Sequence, residues 1–590
     1  MDNNSIQNLD ILSDELKQVE ATHSDPVSRL LVVTLLHQIR KIRDEIEDIP
    51  TRIVERLCST FVPKNKVNAL PAVCHVVPKV KVRRECEPHF IADGSYFIYK
   101  LDSRQTLSFY PVFRTCLLPF SNLFTVSPTV MRASGERFQI QSGKKGYVWV
   151  GMEIPCEVDS LESVSFFIKG TDGVMPRCIS VGSTGISLEY SPASALDQIP
   201  LMEPFDSQQM RPENLAVMSH FKDVLSKNED GRLVYITDTL RDRDIFKRIA
   251  YPKAFQQIME CSHLDRFPDN TLWLMFDFGS DYEVPEDIEI IPNVVPVTNV
   301  NVNSATLTQS SPVAKLTKND GSFFLSVLDT PLSQQKLGFN RNKDEFMVRD
   351  FDARTYNPDS LMNDVRNLYN RFVEDYHAFI EYHGLKDGEL VRLLRETVNK
   401  IAKSVKTNID WQNRFDEGVY AMRDIRLIGR TAPVKVAYLT TMGRKGNIPN
   451  FGSKMENKKD AGLEKEIPVL VSSSGGEDRA NADRMYEMLR YHTLTADRLY
   501  TRMDVDAFLR MQLNLEFGAD ESKRISYEIY IGGAGGTSKL QRGLYIDIYF
   551  KDGKNFDKAR SLALDRKLHQ AIIDRSCISM PVIISLKDVS

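Results

Sequence analysis

One spacing recurs three times in this 590-residue chain and constrains its fold more than any other feature. Large apolar residues fall alternately three and four apart at Val32, Leu35, Ile39, Ile42, Ile46 and Ile49. They do so again at Met362, Val365, Tyr369, Phe372, Tyr376 and Phe379, and at Val391, Leu394, Val398, Ile401 and Val405. A 3-4 repeat draws a narrow stripe along a helix, and that stripe must be covered lengthwise by another helix. The first helix starts cleanly, with Ser24 or Asp25 as N-cap and Pro26 in its first turn. Its opening run "LLVVTLL" is apolar on nearly every side, so protein or lipid must surround it. Arg29 and His37 bound that run, far short of the roughly 20 residues a membrane span needs. The cover is therefore protein: the chain's own fold or a partner.

The second and third stripes form a helical hairpin. Asp359 or Ser360 caps its start, and "HGLKDGE" breaks it, with Gly384 suited to a left-handed C-cap. Arms of more than 20 residues would each be roughly 35 Å long.

Around these helices the period changes. From Pro63, stretches such as "SYFIYKL", "QTLSFYPVF", "YVWVGMEI" and "SVSFFIKG" alternate with period two and read as strands. "RLVYIT", "TLWLMFDF" and "NVVPVTNVNV" follow, and Pro296 should restrict the last to an edge or an irregular ladder. The end reads strand, glycine-rich turn, strand, helix, strand. The expectation is an α+β, multidomain chain: N-terminal helices (1–62), a β-rich domain (63–200), a mixed α/β domain (201–345), a long helical hairpin (346–430) and a C-terminal split α/β domain (431–590). The charged stretch "SKMENKKDAGLEKE" (453–466) reads as a solvated, mobile loop.

Chemistry is hard to find. A net charge of −4 provides no global field for nucleic acid or an anionic membrane. The eight cysteines are dispersed, with no C-x-x-C, which fits reduced core thiols. The acidic start lacks the basic and apolar regions of a signal peptide, so a cytoplasmic protein is expected. "IGGAGGTSKLQRG" lacks the G-x-x-x-x-G-K-[ST] spacing because Lys539 follows Ser538, and alternating strands flank it, so it reads as a hairpin loop. Cys261 and His263 have no further ligands nearby in sequence. "VPKVKVRRE" places Lys79, Lys81 and Arg83 on one face, as a solvated edge strand does. No catalytic, cofactor or metal residue is assigned. Two classes stand: a non-enzymatic assembly subunit, and a hydrolase whose site is built from dispersed residues. The candidate assembly interface is Val32, Leu35, Ile39, Ile42 and Ile46 together with Met362, Val365, Tyr369, Phe372, Val398 and Ile401.

Several stretches, in order along about 430 residues, carry a resemblance. "DPVSRLLVVTLLHQIRKIRDEI" is similar to the N-terminal helix of the TssF (VasA/ImpG) family, the baseplate wedge subunits of type VI secretion systems. "FVPKNKVNALPAV", "SFYPVFRTCLLPF", "VSFFIKGTDG" and "AYPKAF" resemble later family segments, the last keeping Pro252, Lys253 and Phe255. "NVVPVTNVNV" resembles N-C-T-P-V-x-N-L-F through Asn293, Pro296, Val297 and Asn299, without the cysteine. "VKVAYLTTMGRKGNIPN" is similar to a further segment. The chain looks most like a divergent, Bacteroidetes-type member. "TADRLYTRMDVDAFLRM" instead resembles the R-x-v-T-x-x-D signature of phage baseplate J proteins, which leaves a phage-like extracellular injection system as the alternative. The resemblance implies a structural role without catalysis or cofactor. It implies a wedge of two such copies with one TssG-like subunit, whose helices bundle together. A TssK-like adaptor, spike or hub and sheath proteins would surround it. The complex would be cytoplasmic and docked at the inner membrane, with no nucleic acid and no membrane insertion by this chain.

Overall fold

The computed structural model describes residues 67–81, 87–101, 105–133, 135–140, 145–171, 173–202, 212–226, 232–316, 321–328, 346–351, 358–383, 389–407, 418–423, 433–448, 452–480, 482–532, 543–561, 564–576 and 581–589, with 54, 57, 58, 61, 62 and 205 besides. The seam of the first helix, Val32, Leu35, Ile39, Ile42 and Ile46, lies outside the described residues. The chain is a multidomain α+β protein that divides into two compact units. One holds Asn68–Arg349 and Val419–Arg479, the other Met1–Val67, Asp350–Gly418 and Ala480–Ser590.

The first of these is built on a closed barrel. Its strands run in the order Val73–Val76, Val295–Asn299, Thr106–Pro111, Tyr96–Lys100, Lys454–Lys458, Glu466–Ser474 and back to the start. Alternation decides what is inside: Cys74, Val76, Phe97, Phe109, Val297, Met455 and Ile467 fill the interior. Pro296 sits in the second of these strands, paired on both sides, so the ladder is irregular rather than an edge. The irregularity is small. Val112 donates to the Pro296 carbonyl at 3.0 Å, and the return bond that proline cannot make is replaced by Met202, whose amide donates to Val112 O at 3.0 Å.

The stretch 453–466 is not a solvated loop. Lys454–Lys458 is a barrel strand, and Met455 and Leu463 are fully buried. Composition misleads here because the outward positions are nearly all charged, while single apolar residues point inward. The basic stretch after Val76 is also covered. The Glu464 amide donates to Lys79 O, and the Lys81 amide donates to Gly462 O. Arg83 lies outside the described residues.

Beside the barrel, a seven-stranded sheet centred on Tyr147–Glu153 and Thr271–Asp277 faces a four-stranded sheet centred on Arg232–Ile236 and Ser165–Lys169. Val150, Leu272 and Phe276 of the one meet Phe166, Val234 and Ile290 of the other in a common core. The far side of the large sheet packs Trp273 and Phe124 against Phe255 and Phe267. The far side of the small sheet packs Phe167, Leu233 and Tyr235 against Phe221 of helix α1 (Pro212–Ser226).

His75 faces this last layer, 5.4 Å from the Phe167 ring, and burial lowers its pKa to about 4. A histidine whose folded pKa is depressed is bound neutral, so protonation favours the unfolded chain. Stability should be intact above the usual histidine value near 6.5 and fall by about 3 kcal/mol as pH drops from there to about 4. Urea midpoints between pH 7.5 and 4 measure this. A slope unchanged in His75→Leu would assign the loss to other groups.

In the second unit, helices α2 (Pro358–His383) and α3 (Glu389–Thr407) form the hairpin. Helices α4 (Ala482–Thr495), α5 (Arg502–Phe517), α6 (Gly553–Ser561) and α7 (Leu564–Arg575) surround a three-stranded sheet. Ser526–Gly532 and Gly543–Phe550 are antiparallel and register Gly532 against Gly543, while Val582–Asp588 runs parallel to the second. Tyr491, Phe508, Leu509, Ile546, Phe550 and Ile572 form the core. The single helix expected between the last strands is two, α6 and α7.

Candidate assembly surface

The hairpin is where the sequence placed six of its eleven candidates, and the structure brings them onto two neighbouring helices. Helix α2 has 26 residues, about 39 Å, and α3 has 19, about 28 Å, shorter than expected for the second arm. The two lie against each other. Met362 is buried, while Val365, Tyr369, Leu394 and Val398 are half-buried along the line where the helices meet. Phe372 stacks on Tyr376 with ring centroids 5.7 Å apart. Phe372 and Ile401 remain 38% exposed, so the seam is only partly closed by the hairpin itself.

A second stripe was missed by the heptad reading. On α2, Leu368 and Tyr382 are 74% and 85% exposed and continue the line through Phe372. On α3, Leu393 is 64% exposed and lies on the line that reaches Ile401. The signal was available as i, i+4 spacing from Leu368 and as i, i+4, i+8 spacing through Leu393, Thr397 and Ile401. At 100° per residue, each second stripe is turned about 80° from its own seam, in the same rotational sense on both helices. In an antiparallel pair, offsets of the same sense point to the same side. One side of the hairpin therefore exposes Leu368, Phe372, Tyr382, Leu393 and Ile401, with the exposed Asp375 and Thr397 among them. A two-helix hairpin needs one stripe per helix, whereas a helix in a four-helix bundle needs two.

The residues that carried the sequence resemblance turn out to hold the fold. Asn293 has φ 60° and clasps the backbone of Leu118, accepting from its amide at 2.9 Å and donating to its carbonyl at 2.8 Å. Asn299 donates to Ser108 O at 3.0 Å and accepts from the Met442 amide at 3.1 Å. Thr501 and Asp504 form a capping box at the start of α5, so the T-x-x-D pattern is a helix N-cap. Next to it, Asp497 accepts from Tyr491 Oη and Arg575 Nε, both at 2.9 Å.

Among the described residues two carboxylates, Asp460 and Asp547, are buried, and each is held by hydrogen bonds. Asp460 accepts from His89 Nε2 at 2.9 Å and from the Ala92 and Gly462 amides. Burial pushes its pKa up, but these hydrogen bonds outweigh it and leave the carboxyl below its usual range. Asp547 accepts from Lys587 Nζ at 2.7 Å and Tyr530 Oη at 3.2 Å. The two belong to different units. Among the described residues no group of three or more His, Cys, Asp and Glu is placed to hold a metal ion. His263 rests on the Phe138 ring, 5.5 Å between centroids. Cys58, Cys74 and Cys116 are buried thiols outside any disulfide, but Cys261 is exposed rather than a core residue. An open cleft is lined by Leu188, Glu189, Tyr190, Ser191, Gln198 and Thr237, with one carboxylate. Most of "GGAGG" lies outside the described residues, although the paired strands on either side make a hairpin. No described helix is long and apolar enough to cross a membrane.

No protein-family model matches the sequence, and no curated protein matches it. Among solved structures, the chain is similar to one from a type VI secretion system TssK-TssF-TssG baseplate subcomplex, at 11% identity and TM-score 0.40, covering 95% of this chain and 96% of that one. It is similar to a chain of the anti-feeding prophage baseplate at 9% identity and TM-score 0.28, covering 98% and 70%. A chain of a type VI secretion baseplate complex is similar at 11% identity and TM-score 0.33, covering 96% and 91%.

Proposed function

We propose that this chain is a structural, non-enzymatic subunit of the baseplate wedge of a type VI secretion system, held to its neighbours by helix bundling. The observation that carries the reading is the exposed apolar side of the hairpin. Leu368 and Leu393 stand in water on helices whose seams are already half used, an arrangement explained if other helices cover them. The ordered sequence resemblance names the assembly. Its partners would be a second copy, a TssG-like subunit, a TssK-like adaptor, and spike, hub and sheath proteins, in a cytoplasmic complex docked at the inner membrane. The capping box at Thr501 and Asp504 matches the phage baseplate J signature, and this favours a phage-like injection machine as the second reading.

The test is paired. Leu368→Asp and Leu393→Asp replace exposed side chains, so the isolated chain should melt within a few degrees of wild type. In the complex the same carboxylates would be desolvated, and binding to the co-expressed neighbouring subunits should fall at least 100-fold. Wild-type assembly by both variants would remove the hairpin from the argument. Hydrolase activity abolished by one cleft substitution would replace the reading altogether.

A further inference from the structure

The turn between α4 and α5 presents a surface that the rest of the second unit leaves unused. Ala496 and Asp497 both have positive φ, 49° and 60°, a strained pair for residues with side chains. The strain is held in place. Asp497 accepts from Tyr491 Oη and Arg575 Nε, and the Leu499 amide donates to Arg575 O at 2.9 Å. Leu499 is fully buried and bridges Ser576, so the backbone there is strand-like and Arg498 and Tyr500 project together, opposite to Leu499. Thr501 is also extended, and its hydroxyl accepts from the Asp504 amide to cap α5. Alternation then puts Arg502 on the side of Arg498 and Tyr500, with Met503 next to it. Tyr500 is 64% exposed and Met503 81%. Along α4, Tyr486, Arg490 and Leu494 are exposed at i, i+4 and i+8 and lead up to the turn.

The charges of this band are one-sided. Arg490, Arg498 and Arg502 have no ion pair or side-chain hydrogen bond among the described residues. The carboxylates beside them are engaged elsewhere: Asp497 as above, Asp504 by the Tyr500 and Thr501 amides, and Asp506 by Arg510 at 3.3 Å. Arg502 is the first residue of α5, where the positive end of the helix dipole opposes a cation, so stability alone would place an acid there. We propose that this band of arginine, tyrosine, leucine and methionine docks an acidic segment of a partner protein, whose carboxylates meet the arginines and whose apolar side chains meet Leu494, Tyr500 and Met503. Tyrosine, arginine and methionine are the residue types concentrated in protein interfaces. Unpaired arginines select an acidic occupant. Apolar residues standing between the arginines fit carboxylates spaced by apolar side chains better than a continuous phosphate backbone. The surface lies outside the hairpin, so the inference goes beyond helix bundling and does not depend on it.

Fluorescence anisotropy on the full chain tests this. The probe is a labelled synthetic peptide in which glutamate alternates with leucine and glycine, and the control peptide carries glutamine in place of every glutamate. At low salt the glutamate peptide should bind at least tenfold more tightly than the glutamine peptide, and added salt should weaken it. Arg498→Glu with Arg502→Glu should lower its affinity at least tenfold. Met503→Ala and Tyr500→Ala should each lower it severalfold, because the apolar contacts share the work. Lys222→Glu with Lys247→Glu makes the same change in net charge at exposed positions of the other unit and should leave binding within twofold of wild type. Arg502→Glu alone removes a cation from a helix N-terminus, so that variant should melt no lower than wild type while binding less. If the double glutamate variant misfolds, Arg498→Gln with Arg502→Gln makes the same test at lower risk. Equal binding of the two peptides, or binding that neither double arginine variant changes, overturns the proposal. Single-stranded RNA that binds more tightly than the peptide, and is lost in the same variants, replaces the acidic protein segment with a nucleic acid.

Discussion

Trp273→Ala should lower the stability of the chain by about 4 kcal/mol, among the largest single-residue losses available to it. The indole is 1% exposed. Phe255 and Phe267 meet it edge-on at 4.9 and 5.1 Å between centroids, and its Nε1 donates to Ala250 O at 3.0 Å. The walls cannot collapse into the space. Gly151 and Gly182 already press their backbones so close that a Cβ on either would stand 2.7 Å from the tryptophan. Truncation therefore leaves a cavity, removes the aromatic pairs with Phe124, Phe255 and Phe267, and strands a carbonyl. Urea unfolding should show a lower midpoint at an unchanged slope. A loss below about 1.5 kcal/mol would mean that the layer relaxes far more than its glycine contacts imply.

Asn299→Ala should cost a comparable amount, about 4 kcal/mol, for a different reason. Asn299 is fully buried, and its side chain binds three parts of the barrel unit: Ser108 O, the Thr441 hydroxyl at 3.3 Å and the Met442 amide. Each group left without its partner in a dry interior costs about 1–3 kcal/mol. Gly446 is held against this side chain, where a Cβ would come within 2.8 Å of Oδ1. Asn299→Asp is the discriminating variant. It keeps the size and both acceptor roles but loses the donor to Ser108 and buries a charge, so it should be worse than alanine. Aspartate milder than alanine in thermal melts would show that bulk, not hydrogen bonding, is what the site needs.

The same residues show what was legible from sequence. Period-two alternation located nearly every strand it was asked about, because one buried face imposes that period wherever a strand lies. It could not say which strands pair. Val73–Val76 joins Glu466–Ser474 and Val295–Asn299, and nothing local marks such partners. The 453–466 stretch failed because Met455 and Leu463 are isolated among charges, and composition outweighed register. Pro296 was read as confining its strand to an edge or an irregular ladder, and the ladder is irregular, but Met202 at the vacant acceptor is a tertiary answer. On the hairpin, the heptad rule found the inner seam and stopped. Leu368 and Leu393 belong to a second stripe whose i, i+4 spacing is in the sequence, but that both stripes open to one side follows only from the antiparallel pairing. Asn299 stood out by resemblance, yet its reason is a set of buried hydrogen bonds within the barrel unit.

The barrel has a consequence for how the protein is made. Its first strand ends at Val76 and the strand that closes against it ends at Ser474, so 398 residues separate the two sides of one ladder. At about 5–20 residues per second, a ribosome takes roughly 20–80 s to deliver the closing strand after the first has emerged. Throughout that interval the early strand has an open hydrogen-bonding edge, while the α2–α3 pair, made of neighbours in sequence, can form as soon as it leaves the exit tunnel. Nascent chains stopped before residue 454 should therefore be bound by chaperones through their incomplete barrel, and chains released beyond 474 should not.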